Sequence, residues 1–354
     1  MEIKRLRYEV LAILILLALV ICAGLARAQG TDPRFEKLAK ELYPKAKQEA
    51  ALVVYTIWDV EHVRSILAAF NKRFPGINTT YWQGTRSEII TRALTEFQGD
   101  QRTADVILSE GAPVVLRAAG AIEPYNTVQA NSLILHDPTL PTVSLQIIAL
   151  AYNIKKLKKE DLPKSWDDVI NPKYKGVVAL DDPVRAGPLS GMLAGLKEYW
   201  KDDAKWTRYI KGLKALNVTV HKSTSAMFRL LIAGEYSIAM PSLLHDVIEE
   251  KEKGSPVDFV KSAAPVISAQ QLGIYGKAPH INGAKLFAEW MITPEGQFAV
   301  AAVGREVSRK GIKSKASIEY AWGSTVKPIP LVNKSYSEDP RKWLDTNVKP
   351  VWEN

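Results

Sequence analysis

The sequence predicts an α/β protein built as two lobes, and three observations support this. The chain has 354 residues, more than the roughly 250–300 residues at which a single hydrophobic core stops growing. In its first third, short β-branched stretches alternate three times with amphipathic helical stretches, as in parallel strands joined by helical crossovers. Two apolar extended stretches, 145–153 and 263–275, bracket a separate α/β region. We expect them to connect a middle lobe to a lobe formed by the two ends of the chain.

The N-terminus has the pattern of a secretory signal peptide. Basic residues precede an apolar run over 10–25, and Ala26-Arg27-Ala28 places small residues just before polar Gln29. We therefore expect cleavage after Ala28, which would remove residues 1–28 and leave a periplasmic mature protein. The alternative is a retained membrane anchor, because the apolar run approaches the length that spans a bilayer.

Cysteine and histidine usage predicts neither a metal site nor a cofactor. The single cysteine, Cys22, lies inside the apolar run after Ile21, where a lipoprotein signal would have a small residue. After cleavage the mature chain would therefore have no disulfide, thiol nucleophile or thiolate ligand. The histidines have no metal-ligand spacing; they are His62, His136, His221, His245 and His280.

Hydrophobic periodicity predicts the elements of the first region. Residues 51–56 are short, apolar and β-branched, as in a buried strand. Val63, Ile66 and Phe70 share one helical face, and Pro75-Gly76 ends that helix. The same criteria predict helices over 33–49, 60–74, 87–98 and 114–119, and strands over 51–56, 77–82 and 105–108.

The middle region repeats this alternation between the two extended stretches. Pro138 and Pro141 separate it from the first region, and a loop over 181–188 leads into the helix predicted over 189–200. Its predicted strands are 177–180, 218–220, 236–240 and 257–259, and its predicted helices are 166–170, 189–200, 204–216, 224–233 and 243–252. Beyond it, helices are predicted over 281–292 and 294–302, and the proline-rich tail over 320–352 is predicted to be irregular.

The charge balance excludes one class of partner and favours another. The formal net charge is +9 and is spread along the chain, without a basic run interleaved with aromatic residues. We therefore expect no nucleic-acid binding. The surplus either keeps the surface soluble or draws anions towards a cleft.

Several segments in order resemble the bacterial extracellular solute-binding proteins of the iron, thiamine and polyamine type. They span most of the mature chain, and Thr293–Gln297, "TPEGQ", is the most specific. The segments are 51–55, 70–77, 104–111, 151–153, 163–167, 234–239, 278–287, 292–297 and 304–305. The resemblance implies the type II periplasmic-binding-protein fold with two hinge strands. One lobe would hold 29–148 plus 270–354, and the other 149–269. It also implies a monomer that serves the permease and ATPase of an ABC importer.

Ligands of open α/β sheets bind beyond the carboxyl ends of strands, near helix N-termini. This rule selects the loops after the predicted strands of both lobes, where hydroxyls and arginines suit an anionic or polyoxygenated ligand. Arg86 stands out because a cation at a helix start opposes the helix dipole. The predicted ligand-binding residues are Tyr55, Thr56, Trp58, Gly84, Thr85, Arg86, Ser109, Glu110, Arg185, Ser223, Thr224 and Ser242.

The resemblance also bears on which ligand is bound. Iron receptors of the family use a tyrosine pair after the strand matching 236–240, and here Leu243-Leu244 stands there. Their first-lobe acid corresponds to Glu110, and their first-lobe histidine is replaced in the region of Ile57-Trp58. We therefore expect a small organic anion captured by hinge closure, with a ferric-iron receptor as the alternative. A ligand-binding module for a membrane sensor, or an enzyme on the same fold, are further alternatives, although no nucleophile–base set is visible.

Overall fold

The computed structural model describes residues 32–353, except 102, 136, 138, 313, 316, 324, 332 and 333. The predicted signal peptide and His136 therefore lie outside the described residues. The first region contains α1 (Pro33–Glu49), β1 (Ala51–Thr56), α2 (Val60–Arg73), β2 (Asn78–Gln83), α3 (Arg86–Gln98), β3 (Val106–Glu110), α4 (Ala112–Ala118) and β4 (Ile122–Glu123).

The middle region lies between two long strands. It runs through β5 (Thr142–Asn153), β6 (Val178–Asp181), α5 (Pro188–Trp200), α6 (Asp203–Ala215), β7 (Thr219–His221), α7 (Thr224–Ala233), β8 (Ile238–Leu243), α8 (Leu244–Glu252), β9 (Val257–Phe259) and β10 (Val266–Tyr275). Short 3₁₀ turns occupy 130–132, 159–161, 167–170 and 172–174.

The last region is more regular than the sequence predicts. It contains α9 (Ile281–Met291), α10 (Pro294–Ala302), β11 (Glu306–Val307), α11 (Ile318–Trp322), β12 (Ile329–Pro330), α12 (Lys334–Glu338), α13 (Pro340–Asn347) and α14 (Lys349–Trp352). The prediction of an irregular tail is wrong, because Ser317 and Asp339 each accept a backbone hydrogen bond that caps a short helix.

The strands form one sheet whose order is β2-β1-β3-β10-β5-β8-β6-β7. Strands β1, β2 and β3 are parallel, as are β6, β7 and β8. Between these two sets, β10 pairs antiparallel with β3, β5 pairs antiparallel with β8, and β5 and β10 pair with each other. The two long apolar stretches are therefore the hinge strands that join two parallel half-sheets.

Each half-sheet is covered on both faces, which defines two lobes. In lobe 1, built around β1–β3, Phe70, Phe287 and Trp290 pack on one face, while Ile89 and Leu116 pack on the other. Lobe 2, built around β6–β8, has one core with α5 and α6 and another with α7 and α8. Coverage on both faces explains why the inner strands β1 and β3 are mostly apolar and buried, whereas the outermost strands β2 and β7 are partly exposed.

The TPEGQ segment, Thr293–Gln297, holds lobe 1 to the hinge. Thr293 caps α10, and a Cβ on Gly296 would come within 2.1 Å of the Trp290 carbonyl oxygen. Gln297 is fully buried; its amide donates to the carbonyl oxygens of Val143 and Met291 at 2.8 Å each. The segment therefore fixes α10 against the start of β5.

Candidate ligand-binding cleft

A polar strip separates the apolar cores of the two lobes on one face of the hinge. In the pairing of the hinge strands, Ser268 lies opposite Gln146, and Gln270 lies opposite both Ser144 and Glu110. Directly paired residues, and residues two apart on a strand, point to the same face. Because Ser144, Gln146, Ser268 and Gln270 are all buried, they form a polar floor where the lobes meet.

One end of this floor carries Arg86. Thr85 and Glu88 form a capping box that fixes the start of α3, so Arg86 occupies its first turn. Its guanidinium lies over Gly111, where a Cβ would come within 2.7 Å of Arg86 Cζ. Arg86 Nη2 is buried and has no hydrogen-bond partner among the described residues. A buried guanidinium nitrogen without an acceptor is costly, so this position calls for one.

Glu110 lies beside Arg86 at the end of β3. Burial raises the pKa of the Glu110 carboxyl, while the Arg86 charge and a hydrogen bond from Ser268 oppose that rise. The Ser268 hydroxyl also lies 3.4 Å from Gln146 Oε1. Glu110 and Arg86 are thus coupled through charge, and Ser268 ties Glu110 to the floor.

Lobe 2 faces Arg86 with the N-terminus of α5. The Gly187 N–H donates to Ser190 Oγ at 2.9 Å, and Ser190 Oγ lies 2.7 Å from the hydroxyl of Tyr336. Arg86 and Glu110 both act electrostatically on that hydroxyl. This end of the cleft therefore combines lobe 1 charges with lobe 2 hydroxyls.

The other end of the floor is built on Trp58. Its indole Nε1 donates to Gln270 Oε1, and the Arg305 guanidinium stacks over its ring, 4.6 Å from the centroid. Arg305 also lies 3.3 Å from an Asp59 carboxylate oxygen, and its Nε donates to His62 Nδ1 at 3.2 Å. Arg305 is therefore partnered, in contrast to Arg86.

Lobe 2 brings two titratable side chains to this second end, at the start of α8. Burial raises the pKa of Asp246 to about 6, with Asp59 adding to the rise and Arg305 opposing it. Burial lowers the pKa of His245 to about 3, and the positive charges of Arg305 and His62 lower it further. Both lobes therefore contribute charges that interact across the cleft.

Three of the residues predicted from sequence line this floor: Trp58, Arg86 and Glu110. Thr85 is the cap beneath Arg86. Gly84 is spatially required, because a Cβ there would come within 2.5 Å of the Trp82 ring.

The remaining predicted residues are engaged in local structure. Tyr55 is buried in the lobe 1 core, and its hydroxyl donates to Glu96. Arg185 and Thr224 both bond Asp181, at 2.8 and 3.1 Å. Hydroxyls that bond nearby backbone atoms belong to Thr56, Ser109, Ser223 and Ser242.

Several floor and wall residues were not predicted. Gln146, Ser268 and Gln270 are polar residues within apolar strands, and that interruption was a usable signal. Ser190 follows the glycine-proline start of α5, which also could have indicated it. Arg305 belongs to the 304–305 segment that carries the family resemblance but was not assigned to the site. Tyr336 had no local signal, because tertiary packing alone brings it to the cleft.

Metal-ligand groups, membrane spans and surface cavities are the other features relevant to function. In the described part of the chain, no group of three or more His, Cys, Asp or Glu side chains could hold a metal ion. No helix among the described residues is long and apolar enough to cross a membrane. A surface cavity of about 380 Å³ lies beside Trp82 and α3, and its cation, Arg92, is paired with Glu96 at 2.7 Å.

Comparison with known proteins identifies the family. Residues 61–298 match the family model described as "Bacterial extracellular solute-binding protein". The Fe(3+)-binding periplasmic protein of Serratia marcescens is 23% identical over 304 residues, which cover 81% of this chain and 84% of that protein. The thiamine-binding periplasmic protein of Salmonella typhimurium is 27% identical over 158 residues, covering 43% of this chain and 46% of that protein.

Solved structures of this type share the fold. Iron-bound HitA of Pseudomonas aeruginosa superposes with a TM-score of 0.70 at 18% identity, covering 85% of this chain and 99% of HitA. AfuA of Actinobacillus pleuropneumoniae, with exogenous fructose-6-phosphate bound, superposes with a TM-score of 0.66 at 21% identity, covering 84% of this chain and 98% of AfuA. The fold is that of type II periplasmic binding proteins, as predicted, and the chain belongs to the family of bacterial extracellular solute-binding proteins.

Proposed function

We propose that this solute-binding protein captures a small organic anion between its lobes and delivers it to the permease and ATPase of an ABC importer. The observation that carries the proposal is Arg86, whose Nη2 is buried at the cleft without a hydrogen-bond partner among the described residues. A carboxylate or phosphate oxygen is the acceptor that a guanidinium binds most strongly. The proposal includes export through cleavage after Ala28 and action as a periplasmic monomer.

The charges of the cleft favour an anion over ferric iron. Arg86 adds positive charge beside Glu110 and Arg305 adds it beside Asp59, so both weaken the attraction of the cleft for a metal cation. Leu243-Leu244 stands at the end of β8 where ferric receptors of the family carry phenol ligands. The carboxylates that could offer hard oxygen ligands for iron, Glu110 and Asp59, already face arginines, and the Tyr336 hydroxyl is hydrogen-bonded to Ser190.

Hinge closure is the proposed mechanism. Arg86, Glu110 and Trp58 belong to lobe 1, whereas Ser190 and the start of α8 belong to lobe 2, so a ligand on the floor would touch both. An anion that satisfies Arg86 and also bonds lobe 2 binds the closed form better than the open form, and only such a difference shifts the equilibrium.

The division between lobes is part of the proposal. The sequence assigns 29–148 plus 270–354 to lobe 1 and 149–269 to lobe 2. The final segment does not fit this division, which assigns it to lobe 1, because Trp343, Leu344 and Val348 are buried in the core of lobe 2. We therefore place the segment beginning at Ile329 with lobe 2 and keep the other boundaries.

A thermal-shift screen tests the proposal. Purified wild-type protein is screened against carboxylates, hydroxycarboxylates, phosphate monoesters, polyamines, thiamine and ferric citrate. The expected result is a raised melting temperature with at least one organic anion, abolished by Arg86→Gln and retained by Arg208→Gln, a control with an exposed side chain on α6. Stabilisation by ferric iron alone, or an anion response that survives Arg86→Gln, would refute the proposal.

A further inference from the structure

Gln270 is a buried polar side chain in the middle of the hinge strand β10. It is 1% exposed, and it lies opposite Glu110 of β3 on one side and Ser144 of β5 on the other. Its carboxamide carries one acceptor oxygen and two N–H donors. A buried donor or acceptor without a partner is costly, so both halves of this carboxamide require one.

The partner of the carboxamide oxygen is set by the chemistry of Trp58. The Trp58 indole Nε1 donates to Gln270 Oε1. Because an indole N–H only donates, the oxygen of the carboxamide, and not its nitrogen, must face Trp58. Trp58 is fully buried, and the Arg305 guanidinium stacks over its ring. The orientation of the Gln270 carboxamide is therefore fixed, and its Nε2 points away from Trp58.

The neighbours of Gln270 do not use its Nε2 donors. Within the described part of the chain, Trp58 is the hydrogen-bond partner of the Gln270 side chain. A hydrogen bond from Ser268 acts on the Glu110 carboxyl opposite, and Ser144 Oγ donates to a backbone carbonyl oxygen of β11 at 2.7 Å. Gln270 Nε2 is therefore a buried donor that the protein leaves for another acceptor.

This donor lies close to the unpartnered nitrogen of Arg86. Glu110, opposite Gln270, is followed by Gly111, and a Cβ on Gly111 would come within 2.7 Å of Arg86 Nη2. Paired Cα atoms of antiparallel strands are about 4.5–5.5 Å apart and consecutive ones about 3.8 Å, so the Cα atoms of Gln270 and Gly111 lie within about 10 Å. Both donors therefore flank the turn at the end of β3, where one small ligand can reach them.

We propose that Gln270 is a specificity-determining residue that selects an anion carrying a second hydrogen-bond acceptor, such as an oxo acid. The inference rests on the proposed function, because Arg86 would hold the anionic group. Gln270 Nε2 then donates to a carbonyl oxygen elsewhere on the same ligand. An anion without a second acceptor would leave this buried donor unsatisfied when the lobes close.

Matched ligand pairs test this inference by calorimetric titration: 2-oxobutanoate against butanoate, and 4-oxopentanoate against pentanoate. The expected result is that the wild type binds the oxo member of at least one pair about 10-fold more tightly, as one hydrogen bond to a buried donor implies. Gln270→Met keeps the size of the side chain without its donors and should reduce that ratio about 5- to 10-fold. Gln271→Met is the matched control, because Gln271 is also buried on β10 but points to the opposite face, and it should keep the wild-type ratio.

A second variant separates selection from a structural effect. Gln270→Glu keeps an oxygen for the Trp58 indole and replaces the donors by an acceptor, so it should reverse the preference. This variant should bind the corresponding amino acid, 2-aminobutanoate or 4-aminopentanoate, about 10-fold more tightly than the oxo acid. A loosened hinge would weaken all of these ligands and could not reverse their order.

Equal binding of both members of each pair by the wild type, or an unchanged ratio in Gln270→Met, would overturn the inference while leaving the anion receptor standing. A preference for the oxo acid that persists in Gln270→Glu would do the same, as would binding of other anions in the wider screen but of none of these four. If no organic anion binds the wild type, the proposed function fails, and the role of Gln270 fails with it.

Discussion

Replacing Glu306 by glutamine should stabilise the protein at neutral pH and flatten its pH dependence. Glu306 lies in β11 against the hinge strand β5, is 6% exposed, and accepts a hydrogen bond from Ser314 Oγ at 2.9 Å. Burial raises its pKa from 4.5 to about 8, with Ser314 opposing the rise. The folded state therefore holds a proton that the unfolded state releases above about pH 4.5.

The sign follows from proton linkage. Between pH 4.5 and 8 the folded protein binds more protons than the unfolded chain, so the free energy of unfolding falls as pH rises. At about 1.4 kcal/mol per pH unit, Glu306 costs about 1 kcal/mol at pH 5, about 3 at pH 7 and about 4 at pH 8. Glu306→Gln keeps an acceptor for Ser314 without a titrating group, so it should remove this slope.

Urea denaturation of wild type and variant at pH 5, 7 and 8 measures the effect. The expected gain in stability of the variant grows by about 3 kcal/mol from pH 5 to pH 8. The control is Glu160→Gln, a change at an exposed side chain, which should reproduce the wild-type curve. A constant difference between variant and wild type across this pH range would refute the reasoning.

Three further predictions concern stability and closure. Glu289 is fully buried and accepts hydrogen bonds from four neighbours, including Tyr125 at 3.0 Å. Glu289→Ala should therefore lower the free energy of unfolding by about 3 kcal/mol. A loss below about 0.5 kcal/mol in urea denaturation would contradict this. Gly296→Ala should lower the free energy of unfolding, measured in urea, by about 3 kcal/mol, because the added Cβ would lie 2.1 Å from a backbone carbonyl oxygen. Gly195→Ala is the control and should not destabilise the protein, because its Cβ would lie 3.5 Å from its nearest neighbour. Equal effects of the two changes would show that the clash at Gly296 is relieved. Burial raises the pKa of Asp246 to about 6, and the nearby Asp59 carboxylate adds to the rise, so ionisation of Asp246 opposes closure. Asp246→Asn should therefore tighten anion binding about 5-fold at pH 7.5, as about 1 kcal/mol for a partly exposed group implies, with a smaller gain at pH 5. Titration calorimetry showing the reverse trend would exclude this.

The alternation of strands and helices could be predicted because local patterns encode it. Apolar β-branched runs gave β1, β5 and β10, and the cap and proline of the TPEGQ segment marked the start of α10. Strand β8 was predicted over 236–240 but spans Ile238–Leu243, so Pro241 lies inside it. The pairing of β5 with β8 is irregular between Ala149 and Ala151, so a residue without an N–H is accommodated there.

The site was predictable only where local sequence carries an anomaly. Arg86 was selected because a cation at a helix start is unfavourable without an anion. Tyr55 lies near the end of β1 but points into the lobe 1 core. The rule that ligands bind beyond strand ends does not distinguish such a side chain from one that faces the cleft. Tyr336 lies 146 residues from Ser190 in sequence, and only packing on Trp343 and α5 brings it to the cleft.

Lobe closure on an anion is the central claim, and an inter-lobe distance tests it most directly. Lys72→Cys on α2 and Lys211→Cys on α6 place labels on exposed positions of opposite lobes, in a chain whose single cysteine is removed by Cys22→Ser. Fluorescence energy transfer should show a shorter distance when a stabilising anion is added, and no change in the Arg86→Gln background. An anion that binds and raises the melting temperature while leaving the distance unchanged would contradict the account.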